Sequence, residues 1–269
     1  MRAAVGTDER AETRVHGTAL VDPNAELERG VEIGAYAIVG PRVTVCQGTT
    51  VGPHALIERD TVVGQNCRIA KGAVLGTDPQ DVKFQGEDTT LEVGDRTVIR
   101  EYATLNRGTV ASGRTVVGSN CLLMAYTHVA HDCEIGNHVV LSNAVNMAGH
   151  VVIEDWAIVG GLTAIHQFVR VGAHAFVGGA SRIVQDVLPY MRVAGSPAKL
   201  YGLNSVGLDR RGFSEEVRRA LRATYRLLFQ SNLNVSQGLA RVEAEVVPLP
   251  EVLRLLAFVR ESQRGITGV

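Results

Sequence analysis

Between Tyr126 and Cys133 the chain reads Tyr-Thr-His-Val-Ala-His-Asp-Cys, which sets His128, His131 and Asp132 close together, and His150 and His166 follow. Histidine beside an acceptor suits general-base chemistry, because its pKa lies near neutral pH and it can take a proton from a hydroxyl. The same residue types could instead bind zinc. A third reading makes them structural histidines on a polar surface, and for His138 and His174 that reading is favoured, since nothing reactive stands beside them.

What could gather these residues is a six-residue frame. Val15, Val21, Leu27 and Ile33 begin a series of aliphatic positions that runs to Leu75, resumes at Val93, Ile99 and Leu105, and continues unbroken from Val117 to Ile183. The interruptions, Asp81 to Glu92 and Ala111, are whole multiples of the period. Four residues after each aliphatic position stands a small one, such as Ala37, Thr49, Cys67, Thr127 or Val145. A helix would need apolar spacings of three and four, which this pattern lacks. Glycine recurs just after the aliphatic residue, as at Gly34, Gly52, Gly94, Gly136 and Gly172, which suits regular tight bends. The pattern predicts short strands and turns wound into a parallel β-solenoid, each coil hydrogen-bonded to the next at about 4.8 Å.

This frame resembles the hexapeptide-repeat proteins, whose fold is a left-handed parallel β-helix of three hexads, roughly 18 residues, per coil. The handedness follows from the resemblance alone, since the general crossover rule favours the right hand. With such a coil, His131, Gly149 and Gln167 form one column, Asp132 lies under His150, and His128 lies under Asn146.

The fold class expected is mainly β, with residues 1–14 a flexible N-terminal segment, 15–190 the β-helix with a loop insertion at 76–92, and 191–269 a small C-terminal α-helical domain. Gly195, Pro197 and Gly202 mark a linker from Met191 to Leu203. Ser214 with Glu215 and Glu216 signals a helix start, and Val217, Leu221, Tyr225 and Leu228 form its face. A second helix is expected from Ser236 and a third from Pro250 to near Gly265, the three capping the open end of the solenoid.

A formal net charge of −1 argues against nucleic-acid binding. The balance is uneven: 12 Lys/Arg against 7 Asp/Glu from residue 190 onward give +5 there and −6 before it. Arg210, Arg211, Arg218, Arg219, Arg222 and Arg226 could meet an acidic partner or a phosphate. No apolar run reaches the roughly 18 residues of a transmembrane span, and residues 1–14 lack a signal-peptide core, so a cytoplasmic location is expected. Cys67, Cys121 and Cys133 occupy small inward positions, Cys67 and Cys121 three coils apart when three hexads are counted to the coil, and no disulfide or cysteine metal site is expected.

Ordered motifs carry a more selective resemblance. They are Thr77-Asp78-Pro79-Gln80-Asp81-Val82-Lys83-Phe84, Ile99-Arg100-Glu101, Asn106-Arg107-Gly108-Thr109, His128 to Cys133, Ala148-Gly149-His150, Ile165-His166-Gln167-Phe168 and Arg210-Arg211-Gly212-Phe213. In order and spacing they resemble the acyl-[acyl-carrier-protein]–UDP-N-acetylglucosamine O-acyltransferases, enzymes of the first step of lipid A biosynthesis, over essentially the whole chain after residue 14. The resemblance implies transfer of an (R)-3-hydroxyacyl group from acyl carrier protein, on its phosphopantetheine thioester, to the 3-hydroxyl of UDP-N-acetylglucosamine. It implies His131 as general base, Asp132 as its orienting partner, and the Gly149 N–H as oxyanion donor, with no metal, no cofactor and no acyl-enzyme.

By the same resemblance Asp81 and Lys83 contact the sugar, while His128, His150, His166 and Gln167 contact the sugar, its phosphates or the thioester arm. Asn204, Arg210 and Arg211 hold the nucleotide end, and Gly179 leaves an acyl groove deep enough for a longer chain. The family implies a homotrimer with sites between neighbouring solenoids. The chain departs from better-known members at Gly195-Ser196-Pro197, where many have Gly-Asn-His, and at Val206, where an acidic residue is frequent. An amide-forming relative acting on a 3-amino sugar nucleotide, and the later N-acyltransferase of the pathway, are the enzymatic alternatives; the latter carries an extra N-terminal domain where this chain has only the short segment before Val15. A hexapeptide scaffold that only binds acyl carrier protein is the non-enzymatic one. Zinc, as in hexapeptide carbonic anhydrases, is disfavoured by the different histidine spacing and by the helical tail.

Overall fold

The aliphatic frame becomes three parallel sheets. The computed structural model describes residues 12–268, so most of the expected N-terminal segment 1–14 lies outside the described residues; Arg14–Val15 already pairs with Glu32–Ile33. Short strands, most of two residues, form sheets of eleven, nine and eight strands, successive strands passing from one sheet to the next. The result is a triangular left-handed parallel β-helix. Register fixes the coil at three hexads where no insertion intervenes: His128, Asn146, Ala164 and Arg182 stand directly over one another.

Both predicted inward positions are buried. Ile57, Leu75, Leu105, Leu123, Leu141 and Ile153 fill the axis together with the small Ala37, Ala73, Val145 and Ala157. Burial pushes the thiols of Cys121 and Cys133 up, to about 11 and about 12, as befits packing residues. At most corners one residue adopts positive φ, including bulky Tyr126, Trp156, Leu162 and Phe168. That conformation costs on the order of 1–2 kcal/mol for a non-glycine residue. Two gains offset it: the corner N–H bonds to the carbonyl one coil below, as His150 to His131 at 3.1 Å, and corner rings stack, as His138 on Trp156 at 3.8 Å.

Two insertions interrupt the register. Arg68 pairs with Val98, five hexads on, and Thr104 with His128, four hexads on. The first insertion runs between the strands Val74–Thr77 and Thr90–Val93, a narrower loop than the expected 76–92, because the strand hydrogen bonds resume at Thr90. The second lies between Thr104–Asn106 and Arg114–Val117. Together they absorb a full coil of residues, so Cys67 stands two coils from Cys121, not three: their coils are linked through the Arg68–Val98 and Val98–Leu122 pairings.

The expected linker is ordered sheet. Met191–Ala194 adds in parallel to Phe176–Val177, and Lys199–Leu203 folds back on it antiparallel, which satisfies an edge that would otherwise stay open. Four helices follow where three were expected: α1 (Ser205–Arg210), α2 (Glu215–Phe229), α3 (Val235–Glu245) and α4 (Pro250–Glu261). Ser214 caps α2 as expected, and α3 begins behind Asn234, whose capping box with Gln237 moves the start one residue ahead of Ser236. Helix α4 stops before Gly265 because the tail returns to the last coil, where Asp186 N–H donates to Gly265 and Thr267 N–H donates to Asp186. Leu188, Tyr190 and Met191 pack under Leu208, Leu221, Leu255 and Phe258, closing this end of the axis. No helix among the described residues is long and apolar enough to cross a membrane.

Leu141→Ala, at a fully buried position, is expected to cost about 3 kcal/mol in urea unfolding. Leu20→Ala, at a position 65% exposed, should stay within about 0.5 kcal/mol. Equal losses would contradict the assignment of the axis.

Candidate active site

One edge of the prism, between the nine- and eight-stranded sheets, holds most of the reactive side chains. Its corners on successive coils are Arg59-Asp60, then the two insertions, then His131-Asp132, Gly149-His150 and Gln167-Phe168. The expected columns are therefore met. A Cβ added at Gly149 would lie 2.5 Å from His131 Cε1 and 2.7 Å from Nε2, so the imidazole packs against a backbone that only glycine leaves bare. The Gly149 N–H has no acceptor among the described residues.

His131 Nδ1 stands 2.7 Å from Asp132 Oδ2, which makes Nδ1–H the donor and leaves the Nε2 lone pair free. Asp132 has a fully buried side chain, yet it is well satisfied. Thr109 donates through its N–H at 2.9 Å and its hydroxyl at 2.7 Å, and Ser112 donates its hydroxyl. Burial by itself would raise the carboxyl; the hydrogen bonds from Ser112, His131 and Thr109 outweigh it and hold Asp132 at about 2. The second insertion removes the corner carbonyl that the Asp132 N–H would meet, and Thr115 Oγ1 replaces it at 2.9 Å.

His150 meets His131 edge-on at 5.1 Å, stacks on Phe168 at 4.6 Å, and keeps Nε2 3.7 Å from Asp132. His128, on the preceding strand, has Nδ1 2.7 Å from Thr104 Oγ1, and its burial, then His131, keep it below the usual imidazole range. His166 and Gln167 are exposed on the same edge, with Arg264 Nη2 3.1 Å from His166 Nδ1. His131, Asp132 and His150 could in principle converge on a metal. The donor set speaks against it: both Asp132 oxygens already accept two hydrogen bonds each, and His131 Nδ1 carries a proton toward them.

The remaining expected residues lie apart from this cluster. Asp81 and Lys83 sit in the first insertion, where Asp81 Oδ1 accepts from the Lys83 N–H at 3.0 Å. Asn204 caps α1, accepting from Gly207 N–H and donating to the His174 carbonyl at 3.0 Å, which engages one donor and one acceptor of its amide. Arg211 donates to the Trp156 carbonyl at 2.9 Å and lies 5.3 Å over the Trp156 ring, while Arg210 is exposed. These three, with Ile158, Phe176 and Arg192, line a cleft of about 440 Å³ beside the neighbouring edge, where His138, Trp156 and His174 stack. Of the other basic residues, Arg218 pairs with Asp209 and Arg219 with Glu215. Gly179 lies on the third edge, its Cβ position 3.2 Å from the Gly161 carbonyl. Sequence reading missed Thr109 and Ser112 as partners of Asp132; the interruption of the frame at Ala111 was the available signal.

The family profile described as "Udp N-acetylglucosamine O-acyltransferase; Domain 2" matches residues 186–267, and that described as "Bacterial transferase hexapeptide (six repeats)" matches 114–149. An acyl-[acyl-carrier-protein]–UDP-N-acetylglucosamine O-acyltransferase of Alkalilimnicola ehrlichii is 49% identical over 255 residues, covering 94% of this chain and 99% of the relative. That of Herminiimonas arsenicoxydans is 44% identical over 257 residues, covering 94% and 98%. Among solved structures, LpxA of Bacteroides fragilis, a UDP-N-acetylglucosamine acyltransferase, superposes with TM-score 0.92 at 41% identity, covering 93% of this chain and 98% of the other.

His174 supplies a pH test. Burial, then Arg211 and Arg254, push it down to about 4. In an unfolded chain histidine protonates near about 6.5, so between these values the folded protein binds fewer protons. Stability is complete above about pH 6.5 and declines as pH falls toward 4. His174→Phe is expected to flatten part of that decline in thermal midpoints taken across this range; a slope identical to wild type would contradict it.

Proposed function

The chain belongs to the acyl-[acyl-carrier-protein]–UDP-N-acetylglucosamine O-acyltransferases, and from that membership we propose how its corner residues perform the transfer. The enzyme moves an acyl group from acyl carrier protein to UDP-N-acetylglucosamine, the first step toward lipid A. The acyl group is an (R)-3-hydroxyacyl chain and the acceptor is the sugar 3-hydroxyl. His131 Nε2 removes the hydroxyl proton as the oxygen attacks the thioester carbonyl. The Gly149 N–H donates to the oxyanion that forms, a contact available because no side chain covers it. Collapse breaks the C–S bond, and the imidazolium returns its proton to the departing phosphopantetheine thiolate. Asp132, ionised and buried, holds His131 in the required tautomer and stabilises the imidazolium. No cofactor and no covalent acyl-enzyme takes part.

The single observation that carries this reading is the free Nε2 of His131 beside the bare backbone of Gly149, with Nδ1 committed to Asp132. His128, His150, His166 and Gln167 line the path of sugar, phosphates and thioester arm. Asp81 and Lys83 contact the sugar, and Arg210 and Arg211 the nucleotide, Asn204 fixing the turn that carries them. The separation of the nucleotide cleft and the histidine edge within one chain supports a homotrimer whose sites combine edges of neighbouring solenoids, with Gly179 leaving depth for a longer acyl chain. A cytoplasmic enzyme fits a reaction between a soluble donor and a soluble acceptor.

Purified protein is expected to acylate UDP-N-acetylglucosamine from hydroxyacyl-acyl carrier protein, with His131→Ala lowering kcat on the order of a thousandfold or more at unchanged oligomeric mass. Full activity in that variant would remove His131 as the base. Gly149→Ala, which drives a Cβ into the imidazole, should lose at least about a hundredfold while still folding. Product mass spectrometry with donors of graded length, and with the 3-amino acceptor in parallel, identifies the acyl chain and acceptor.

A further inference from the structure

Of the motif Asn106-Arg107-Gly108-Thr109 only Thr109 enters the chemistry above, yet all four residues are buried. Asn106 Nδ2 donates to Thr77 Oγ1 at 2.8 Å and to the Asp78 carbonyl at 2.9 Å, both at the root of the loop that carries Asp81 and Lys83. Arg107 is fully buried, an unusual place for a guanidinium. Its N–H donates to the Thr77 carbonyl, its Nη2 to Asp78 and its Nη1 to Asp60 at 3.3 Å, and it lies 6.0 Å from the Phe84 ring of the same loop. Gly108 donates to the Thr90 carbonyl where the loop rejoins the sheet, and a Cβ there would lie 2.3 Å from the Arg114 backbone. One residue later, Thr109 gives both of its donors to Asp132.

Four consecutive residues thus hold the loop at both its ends and hold the carboxylate that orients the base. We propose that Asn106–Thr109, with Ser112, is a positioning clamp that joins the acceptor-sugar loop to the His131–Asp132 pair, so that sugar placement and base strength are set by one segment. This rests on the assignment of His131 as base and of the loop to the sugar. The two ends of the clamp have separable kinetic consequences. The Thr109 and Ser112 donors disperse the charge of Asp132; without them the carboxylate attracts the imidazolium proton more strongly, and His131 becomes more basic. Loss of the Asp78 anchor frees the loop without touching the base.

The test is a set of variants assayed for kcat, KM and pH profile with hydroxyacyl-acyl carrier protein and UDP-N-acetylglucosamine. Thr109→Val and Ser112→Ala are expected to move the acidic limb of kcat/KM upward by about half to one pH unit, and Thr109→Ser to restore it. Asp78→Asn, at a side chain 63% exposed, is expected to raise the KM of the sugar nucleotide several-fold with kcat near wild type and the limb unmoved. A wild-type pH limb in Thr109→Val, even with lower kcat, or a wild-type KM in Asp78→Asn, overturns the clamp. If His131→Ala is inactive while these profiles are unchanged, the clamp alone fails; if His131→Ala is fully active, the base assignment fails and takes the clamp with it.

Discussion

Everything in this molecule depends on parallel hydrogen bonding between one coil and the next. Two-residue strands are too short to stand alone; they persist because each N–H and C=O finds a partner one coil away, at the same position in the turn. That requirement fixes the repeat length, and with it the stacking of like positions. It also explains why bulky residues accept a left-handed backbone at the corners, where the inter-coil hydrogen bond and ring stacking compensate the strain.

The same constraint decides where variation can enter. An insertion within a strand would misalign every coil beyond it, whereas one at a corner only bulges outward. Both insertions use the same edge, in consecutive coils, immediately below His131. The larger throws out the loop with Asp81 and Lys83. The smaller delivers Thr109 and Ser112 onto Asp132, turning a buried carboxylate from a liability into an ionised anchor for the histidine. A rigid scaffold thereby presents reactive groups on short loops without flexible supports.

Much of this was legible in sequence because the repeat is so regular. The aliphatic frame identified the axis residues, and the count of three hexads to a coil placed His131 under Gly149 and Asp132 under His150. The end of the chain was less legible. Met191–Leu203 looked like a linker because Gly195, Pro197 and Gly202 break the hexad, yet an open sheet edge recruits it as strand. Helix α1, six residues long, has no periodicity to detect. The cap that Asn204 gives that helix was not visible in sequence either.

The sequence by itself determined the solenoid, its core columns and the corner that gathers the histidines, because a fixed period converts position along the chain directly into position in space. Only the tertiary structure decided what the aperiodic residues do. Thr109, Ser112, Arg107 and Asp78 meet Asp132 and one another across 20 to 29 residues through insertions that belong to no repeat. Their partners depend on how those loops fold back over the edge, which no spacing rule encodes.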